Sequence, residues 1–300
     1  MPSPQQLFYS ALSLPEKQAL AHIAAHARQA APLGWTAWYC ETVHMGYVSA
    51  QRAVWLSGVL QGARLTGDAL VWNSVDCSAE QRSAQLQGAL ERARAAGILT
   101  GWRNERFTFW DCTQGPNPNA NACLGACQGA YLPPPDTPHF FSVERSGFRF
   151  LGVMSHAVHI NGFRPDGYLW CGRRALSKPT DPGMLDNVTA GGLPSGESAL
   201  DCAVRELEEE AGLTGLALQS LQYAGAVRTA RVEPQGYHDE LLQVFNLTLP
   251  EGCVPANRDG EVSEFVCLSP AQVMARIARG EFTADAAASL AQGLAGLTHS

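Results

Sequence analysis

The segment GGLPSGESALDCAVRELEEEAGL, from Gly191 to Leu213, constrains this chain more than any other part of its sequence. Glu206, Glu209 and Glu210 stand at positions i, i+3 and i+4, so a helix would place their carboxylates on one face. Three such carboxylates repel one another, and a hard divalent cation such as Mg²⁺ or Mn²⁺ relieves that repulsion. A glycine-rich turn before the helix lets the backbone approach a ligand closely. The segment therefore predicts a site for a metal-bound diphosphate.

The other positions of this segment have structural interpretations. Glu197 and Arg205 are predicted to form an ion pair that braces the loop against the helix, because the planar guanidinium fork suits a carboxylate. Leu200 and Leu207 belong to an apolar face that should pack against the core. By itself the run of glutamates is also typical of a solvated acidic helix face. The surrounding glycines and the brace favour the metal site.

The spacing G-x5-E-x7-R-E-U-x-E-E-x-G-U, in which U is apolar, is the Nudix box, and residues 191–213 satisfy every fixed position. The chain thus resembles the Nudix hydrolases. The resemblance implies an α/β fold, the Nudix α/β/α sandwich with a mixed sheet, and metal-dependent hydrolysis of a diphosphate with Mg²⁺ or Mn²⁺. It also implies metal ligands at Glu206, Glu209 and Glu210, joined by the main-chain carbonyl of Ala190.

The resemblance further implies one more glutamate, which serves as a metal ligand or as the base that takes a proton from water. Three residues are candidates, namely Glu240, Glu261 and Glu264. We favour Glu261, which lies in the run DGEVSEF. With the three glutamates of the box, Glu261 completes the predicted catalytic set.

A second resemblance covers most of the chain. The segments GWRNE, VERSGFRFLGV, VHINGF, LWCGRRALSKPTDPGMLDNVTAGG and DGEV are similar to a Nudix subgroup with an uncharacterised N-terminal domain. This subgroup includes the Nudix domain fused to thiamine pyrophosphokinases. The resemblance implies thiamine diphosphate, or a damaged analogue such as oxythiamine diphosphate, as the substrate. Two alternatives stay open: hydrolysis of ADP-ribose, dinucleotides or nucleoside-diphosphate sugars, and a non-catalytic diphosphate-binding regulatory module.

Four polar residues just upstream of the box are candidates for contacts with the substrate. Arg173, Arg174 and Lys178 are cations in an acidic protein, so they either bind substrate phosphate or are ordinary surface charges. Asn187 either caps a turn or contacts the substrate. The organic half of the substrate is not specified by any of these residues.

The passage 113–138 is rich in Gly, Pro and Asn and is predicted to be a long loop between two domains. We expect an N-terminal α/β accessory domain at 1–130 and a Nudix hydrolase domain at 139–300. From His139 onwards, short aromatic and β-branched runs, including FRFLGV, predict strands. Cys123 and Cys127 could form half of a zinc site, but no second Cys/His pair lies nearby, so their role is open.

Composition narrows the partners and the compartment. The net charge is −7 and no basic run occurs, which argues against a nucleic-acid partner. No apolar run reaches the length of a membrane span. The nine cysteines are odd in number and scattered, which favours a reducing cytoplasm over a disulfide framework. The expected partner is therefore a small-molecule diphosphate. The oligomeric state is open, with a homodimer as one option.

Overall fold

The structure is a computed structural model that describes residues 1–74, 76–110 and 139–299. The predicted cysteine pair, Cys123 and Cys127, lies outside these residues. The first part of the chain contains helices and short strands in the following order: α1 Pro4–Ser10, α2 Leu14–His26, β1 Trp35–Cys40, β2 Val43–Ser49, α3 Ala50–Val59, β3 Ala63–Thr66, β4 Ala69–Trp72, α4 Ala79–Ala95 and β5 Arg106–Trp110.

The second part of the chain contains the longer strands. Its elements are β6 His139–Glu144, α5 Ser146–Leu151, β7 Ser155–Phe163, β8 Leu169–Arg174, β9 Leu185–Asp186, β10 Thr189–Gly192, α6 Ala199–Ala211, a 3₁₀ turn at Gly215–Ser220, β11 Gln222–Glu233, β12 Gly236–Thr248, β13 Val262–Leu268, α7 Pro270–Ala278, α8 Ala284–Leu294 and a last 3₁₀ turn at Ala295–His299.

A four-stranded sheet with the order β2-β1-β4-β3 forms the centre of the N-terminal part. Strands β1 and β4 run parallel, and the other neighbours run antiparallel. Trp38 and Trp72 are fully buried against α3 and α4, where Leu56 and Leu86 complete the core. Helix α3 begins at Ala50 because the Ser49 hydroxyl caps its first turn. The N-terminal part is therefore the predicted small α/β unit.

A seven-stranded sheet forms the second part, with the order β11-β12-β7-β8-β13, and with β10 paired to β7 and β9 paired to β8. Strands β12 and β7 run parallel, whereas the other neighbouring pairs run antiparallel. The predicted mixed sheet is thus confirmed. The parallel pair places Glu240 beside Ser155, and the antiparallel pair places Ala190 beside His159.

Helices cover both faces of this sheet. On one face, α6 buries Cys202 and Leu207 against Val158, Ile160 and strand β12. On the other face, α8 buries Ala288 against alternate residues of β7, β11 and β12, and α2 packs beside it. This is the α/β/α sandwich that the sequence predicted. Successive strand residues point to opposite faces, so every second residue of β7 faces α8.

One predicted strand is wrong. The run FRFLGV begins with a helix, α5, rather than a strand, and its aromatic residues Phe148 and Phe150 are buried in the N-terminal core. Gly152 ends this helix with a φ of +61°, and a Cβ there would overlap the carbonyl oxygen of Tyr47. Strand β5 also pairs with β6, although residues 111–138 separate the two strands in the sequence. The predicted division at 130 and 139 stays a prediction.

Candidate active site

The box helix α6 begins and ends where its local sequence allows. The Ser198 hydroxyl accepts a hydrogen bond from the Asp201 amide at 3.1 Å, and Gly212 ends the helix with a φ of +64°. Leu207 is buried in the sheet interface as expected, but Leu200 is exposed and does not pack there. The buried apolar face of α6 is therefore narrower than the sequence predicted. Because this face packs on the sheet, it determines the direction in which the glutamates of the helix point.

Arg205 connects three of the carboxylates in the box. Its guanidinium donates two hydrogen bonds to Glu197, at 2.9 and 2.8 Å, and further bonds to Glu206 at 2.7 Å and Glu209 at 3.1 Å. The bond to Glu197 raises the pKa of Arg205 further above its usual range. The Glu209 side chain is 54% exposed, so it is the outermost carboxylate of the three. Arg205 thus holds the loop and two of the predicted metal ligands in one arrangement.

Glu210 is the most buried of the three predicted ligands. Its carboxylate accepts hydrogen bonds from the Thr189 hydroxyl at 2.5 Å and from the Ala190 amide at 3.3 Å. Burial, with a smaller contribution from the nearby Glu206 carboxylate, raises the pKa of Glu210 to about 8. Burial also raises the pKa of Glu206. Two carboxyl groups that repel one another in a dry site form a strong binding site for a cation.

Two acidic residues from the loop before β13 complete this cluster. Carboxylate oxygens of Glu210, Asp259 and Glu261 all lie within 4.8 Å of one another, which is close enough for one ion. Although burial acts to raise it, the pKa of Glu261 is lowered because Lys178 donates a hydrogen bond to its carboxylate. Of the three glutamates that the sequence offered, Glu261 is thus the one that lies beside the box.

The donor set fits Mg²⁺ or Mn²⁺, because every candidate ligand is a carboxylate or carbonyl oxygen. Gly191 allows this packing, since a Cβ there would overlap the Glu206 carboxylate. Ala190 lies on the short strand β10, which borders the cluster. Its amide donates a hydrogen bond to Glu210, so its carbonyl lies close to the same carboxylates. The structure therefore brings Glu206, Glu210, Glu261 and Ala190 together.

The predicted substrate contacts fall into different places. Arg174 and Lys178 line a cavity beside the carboxylates, where Arg174 pairs with Asp186 at 2.9 Å. Arg173 pairs with Glu264 at 2.6 Å and is not among the residues that line this cavity. Asn187 is 4% exposed and its side chain is bonded to Asn161, His159 and Ser289, within the core between the sheet and α8.

The cavity has a volume of about 620 Å³, within the usual range for small-molecule sites. Its walls come from both parts of the chain. The box loop contributes Ala190 to Gly192, and β7 contributes alternate residues. Sequence reasoning missed the opposite wall, which comes from residues before β7. Six cationic residues line the cavity: Arg52, Arg103, Arg145, Arg149, Arg174 and Lys178.

Two of the missed arginines lie near the carboxylate cluster. Arg145 lies over Gly192, its guanidinium carbon 3.4 Å from where a Cβ would be, and its charge reaches Glu206. The charge of Arg103 reaches Glu261. Arg145 is paired with Glu105 at 2.9 Å. Within the described ranges, no carboxylate lies within ion-pair distance of Arg103, so its charge is available to an anionic ligand.

A rigid turn presents Arg103 to the cavity. The buried Glu144 carboxylate accepts hydrogen bonds from the amides of Arg103 at 2.8 Å and Ser146 at 3.3 Å. The Trp102 indole donates to the Asn104 side chain at 2.9 Å, which holds a turn in which Asn104 has a φ of +59°. Glu144 therefore joins the two segments that carry Arg103 and Arg145. The segment GWRNE contributed to the resemblance to the Nudix subgroup, but its sequence did not predict that Arg103 would face this cavity.

Comparison with known proteins identifies the family. The NUDIX domain model matches residues 155–288, the span from β7 into α8 that holds the carboxylate cluster. The chain belongs to the Nudix family. Its Nudix box is the loop and helix described above, and the arginines 103 and 145 lie outside the matched span. None of the helices in the described part of the chain has the length and apolar character that crossing a bilayer requires.

Three relatives show how far the similarity extends. Nudix hydrolase 24, chloroplastic, of Arabidopsis thaliana is 32% identical over 209 residues, which cover 69% of this chain and 51% of the relative. Nudix hydrolase 20, chloroplastic, of the same plant is 35% identical over 206 residues, covering 68% and 49%. An isopentenyl-diphosphate Delta-isomerase of Rhodobacter capsulatus is 35% identical over 95 residues, covering 31% and 51%. The chain thus spans about half the length of the curated relatives it matches.

Proposed function

We propose that this Nudix protein is an enzyme that hydrolyses a small organic diphosphate with the help of Mg²⁺ or Mn²⁺. The observation that carries the proposal is the cluster of Glu210, Asp259 and Glu261, with Glu206 near Glu210, next to a cavity lined by cations. Glu206, Glu209, Glu210 and the Ala190 carbonyl would hold the metal. When bound, the metal would neutralise phosphoryl oxygens and stabilise the leaving phosphate.

The side chains of the protein divide the remaining work. Arg103 and Arg145, with Arg174 and Lys178, provide positive charge where the diphosphate enters. Lys178 keeps Glu261 deprotonated at neutral pH by lowering its pKa. A deprotonated carboxylate beside the metal ligands can accept the proton of an attacking water, so we assign Glu261 as the general base. Glu197 and Arg205 act only as the brace of the loop.

We propose thiamine diphosphate, or a damaged analogue such as oxythiamine diphosphate, as the first substrates to test. The segments that resemble the thiamine-linked subgroup supply Arg103, Arg145, Lys178 and Glu261 to this one site. ADP-ribose, dinucleotides and nucleoside-diphosphate sugars are the alternatives. We also propose a cytoplasmic location, to which the free thiols of the described cysteines are suited; cell fractionation tests it.

The test is cleavage of a panel of diphosphates by the pure protein with Mg²⁺, with and without a chelator. Phosphate release follows the substrates with a terminal phosphate, and chromatography of the two monophosphate products follows ADP-ribose, dinucleotides and nucleoside-diphosphate sugars. Isopentenyl diphosphate belongs in the panel, with its isomer measured as a separate product. Glu210→Gln and Glu261→Gln should each lower the rate by about 100-fold or more. Glu264→Gln is the matched control, because Glu264 is half exposed, pairs with Arg173 and lies away from the cavity.

Each outcome separates the hypotheses. Chelator-sensitive phosphate release that is lost in the Glu210 and Glu261 variants supports the hydrolase. Fast cleavage of ADP-ribose to AMP and ribose 5-phosphate, with no phosphate release from thiamine diphosphate, would select the alternative substrates. Metal binding without turnover of any panel member would instead indicate a regulatory diphosphate-binding module.

A further inference from the structure

Glu240 lies on the same cavity as the box loop but at a different place. It is on β12, beside Ser155 of β7, and its side chain is 14% exposed. Ser155, Ala157 and His159 are alternate residues of β7 that line the cavity, so Glu240 shares their face of the sheet. The Ser155 hydroxyl donates a 2.8 Å hydrogen bond to Glu240. The carboxylate is therefore fixed in position on the cavity wall.

Among the described residues, Glu240 has no arginine or lysine partner, whereas its acidic neighbours Asp186 and Asp285 each pair with an arginine. Asp186 pairs with Arg174 at 2.9 Å. Both carboxylate oxygens of Asp285 accept hydrogen bonds from Arg231, at 2.8 and 2.9 Å. For Glu240, no lysine or arginine nitrogen within residues 1–74, 76–110 and 139–299 lies within ion-pair distance. A largely buried carboxylate without a counter-charge is unfavourable unless a ligand supplies one.

His238 does not supply that charge. The Arg149 Nε donates a 3.1 Å hydrogen bond to the His238 Nδ1. Arginine has no acceptor, so Nδ1 must carry the lone pair, and the ring is neutral with its proton on Nε2. This Nε2 is buried without a hydrogen-bond partner and lies 3.6 Å from both Glu240 and Asp285. The Nε2 proton of His238 therefore points toward the same part of the cavity as the Glu240 carboxylate.

The same tautomer argues against a metal ion at this spot, although His238, Glu240 and Asp285 are near enough to surround one. A protonated Nε2 cannot ligate a metal, and the Asp285 oxygens are already bonded to Arg231. Only Glu240 has a carboxylate oxygen free of such bonds. A single carboxylate suits an organic cation better than Mg²⁺, which requires several oxygen ligands.

The cavity therefore carries opposite charges in two places. Ala190, beside the metal ligands, pairs with His159, whereas Glu240 pairs with Ser155 on the other side of β7. The two positions are about 13 Å apart along the strands and roughly 10 Å apart across them. We propose that Glu240 binds a positively charged group on the organic half of the substrate, while the diphosphate lies at the box. This inference rests on the proposed function for the location of the diphosphate.

A matched pair of ligands tests the proposal. One ligand is the methylene-bridged analogue of 2-(trimethylammonio)ethyl diphosphate, and the other is the analogue of 3,3-dimethylbutyl diphosphate, which has the same shape without the charge. Binding is measured by calorimetry with Mg²⁺, so that turnover does not enter. We expect the wild-type protein to prefer the cation by about tenfold, and Glu240→Gln to lose this preference. The neutral ligand should bind both proteins equally.

Glu264→Gln should retain the preference, because Glu264 is outside the cavity and is paired with Arg173. Thermal unfolding of Glu240→Gln checks that the fold is intact, since glutamine keeps the acceptor for Ser155. Equal binding of the two ligands to the wild type, no binding of either, or an unchanged preference in Glu240→Gln would overturn the proposal. Phosphate release from the hydrolysable parents is measured separately. Charge preference together with no turnover of any member of the diphosphate panel would refute the hydrolase and leave the cation site standing.

Discussion

The carboxylate of Glu206 packs directly on the backbone of Gly191, in the space that a Cβ at position 191 would occupy. One glycine of the loop thereby determines where a carboxylate of the helix can lie. A hydrogen bond from the Ala190 amide to the Glu210 carboxylate, at 3.3 Å, joins the same strand to the same helix. The loop and the helix are therefore one site, and a change in either should disturb both.

Gly191→Ala should displace the Glu206 carboxylate and reduce phosphate release by about 100-fold, the usual effect of a small misplacement of catalytic groups. Steady-state kinetics at saturating Mg²⁺ measure this loss. Gly58→Ala is the control, because Gly58 lies exposed in α3 with open space around its would-be Cβ. It should leave activity intact and raise the free energy of unfolding by about 0.5–1 kcal/mol. Equal rates in both variants would contradict the packing argument.

Glu210 should make the stability of the metal-free protein depend on pH. Its folded pKa of about 8 lies above the usual glutamate value of 4.5, so the folded state binds the proton more tightly than the unfolded state. This contribution to stability is complete below pH 4.5 and is lost as the pH rises through 8. From pH 5.5 to 8.5, the wild type should lose on the order of 3 kcal/mol more than Glu210→Gln.

Urea unfolding of the two proteins at both pH values measures this difference. Saturating Mg²⁺ should reduce the pH dependence of the wild type, because a bound cation favours the ionised carboxylate. The same pH dependence in the wild type and in Glu210→Gln would show that Glu210 is not protonated in the folded metal-free protein.

Arg205→Lys should weaken the brace although it keeps the charge, because an ammonium cannot form the two-bond fork with Glu197. We expect a loss of about 1 kcal/mol in the free energy of unfolding and a larger relative loss of activity. Arg276→Lys is the control, since Arg276 forms a single contact with Glu281 and has similar exposure. If Arg205→Lys loses no more stability and activity than Arg276→Lys, the pair of Glu197 and Arg205 is an ordinary surface ion pair and does not brace the loop.

Arg103→Met should raise KM for the diphosphate by about tenfold or more and change kcat less, because the guanidinium binds the substrate rather than the reacting water. Arg106→Met is the matched control: Arg106 is a nearby exposed arginine that bonds the Ser142 carbonyl and is not among the cavity-lining residues. High salt should reduce the difference between the wild type and Arg103→Met. An unchanged KM in Arg103→Met would show that Arg103 does not bind the substrate.

Local sequence patterns predicted part of the fold. The helical spacing in the box and the strand-like runs after His139 predicted elements of the second part of the chain, since each signal acts within a few residues. The exception is instructive. The run FRFLGV has aromatic residues typical of strands, yet α5 forms because burying Phe148 and Phe150 in the N-terminal core overrides local propensity.

The sequence by itself determined the helix with its carboxylates, because Glu206, Glu209 and Glu210 are related by helical spacing alone. It could not place Arg103 or Glu240, which are far from the box in sequence. Only the tertiary structure decided that Arg103 faces the carboxylate cluster and that Glu240 lies on the same cavity wall. Strand pairing and the burial of Glu144 set these positions, and such contacts between distant residues leave no periodic pattern in a single chain.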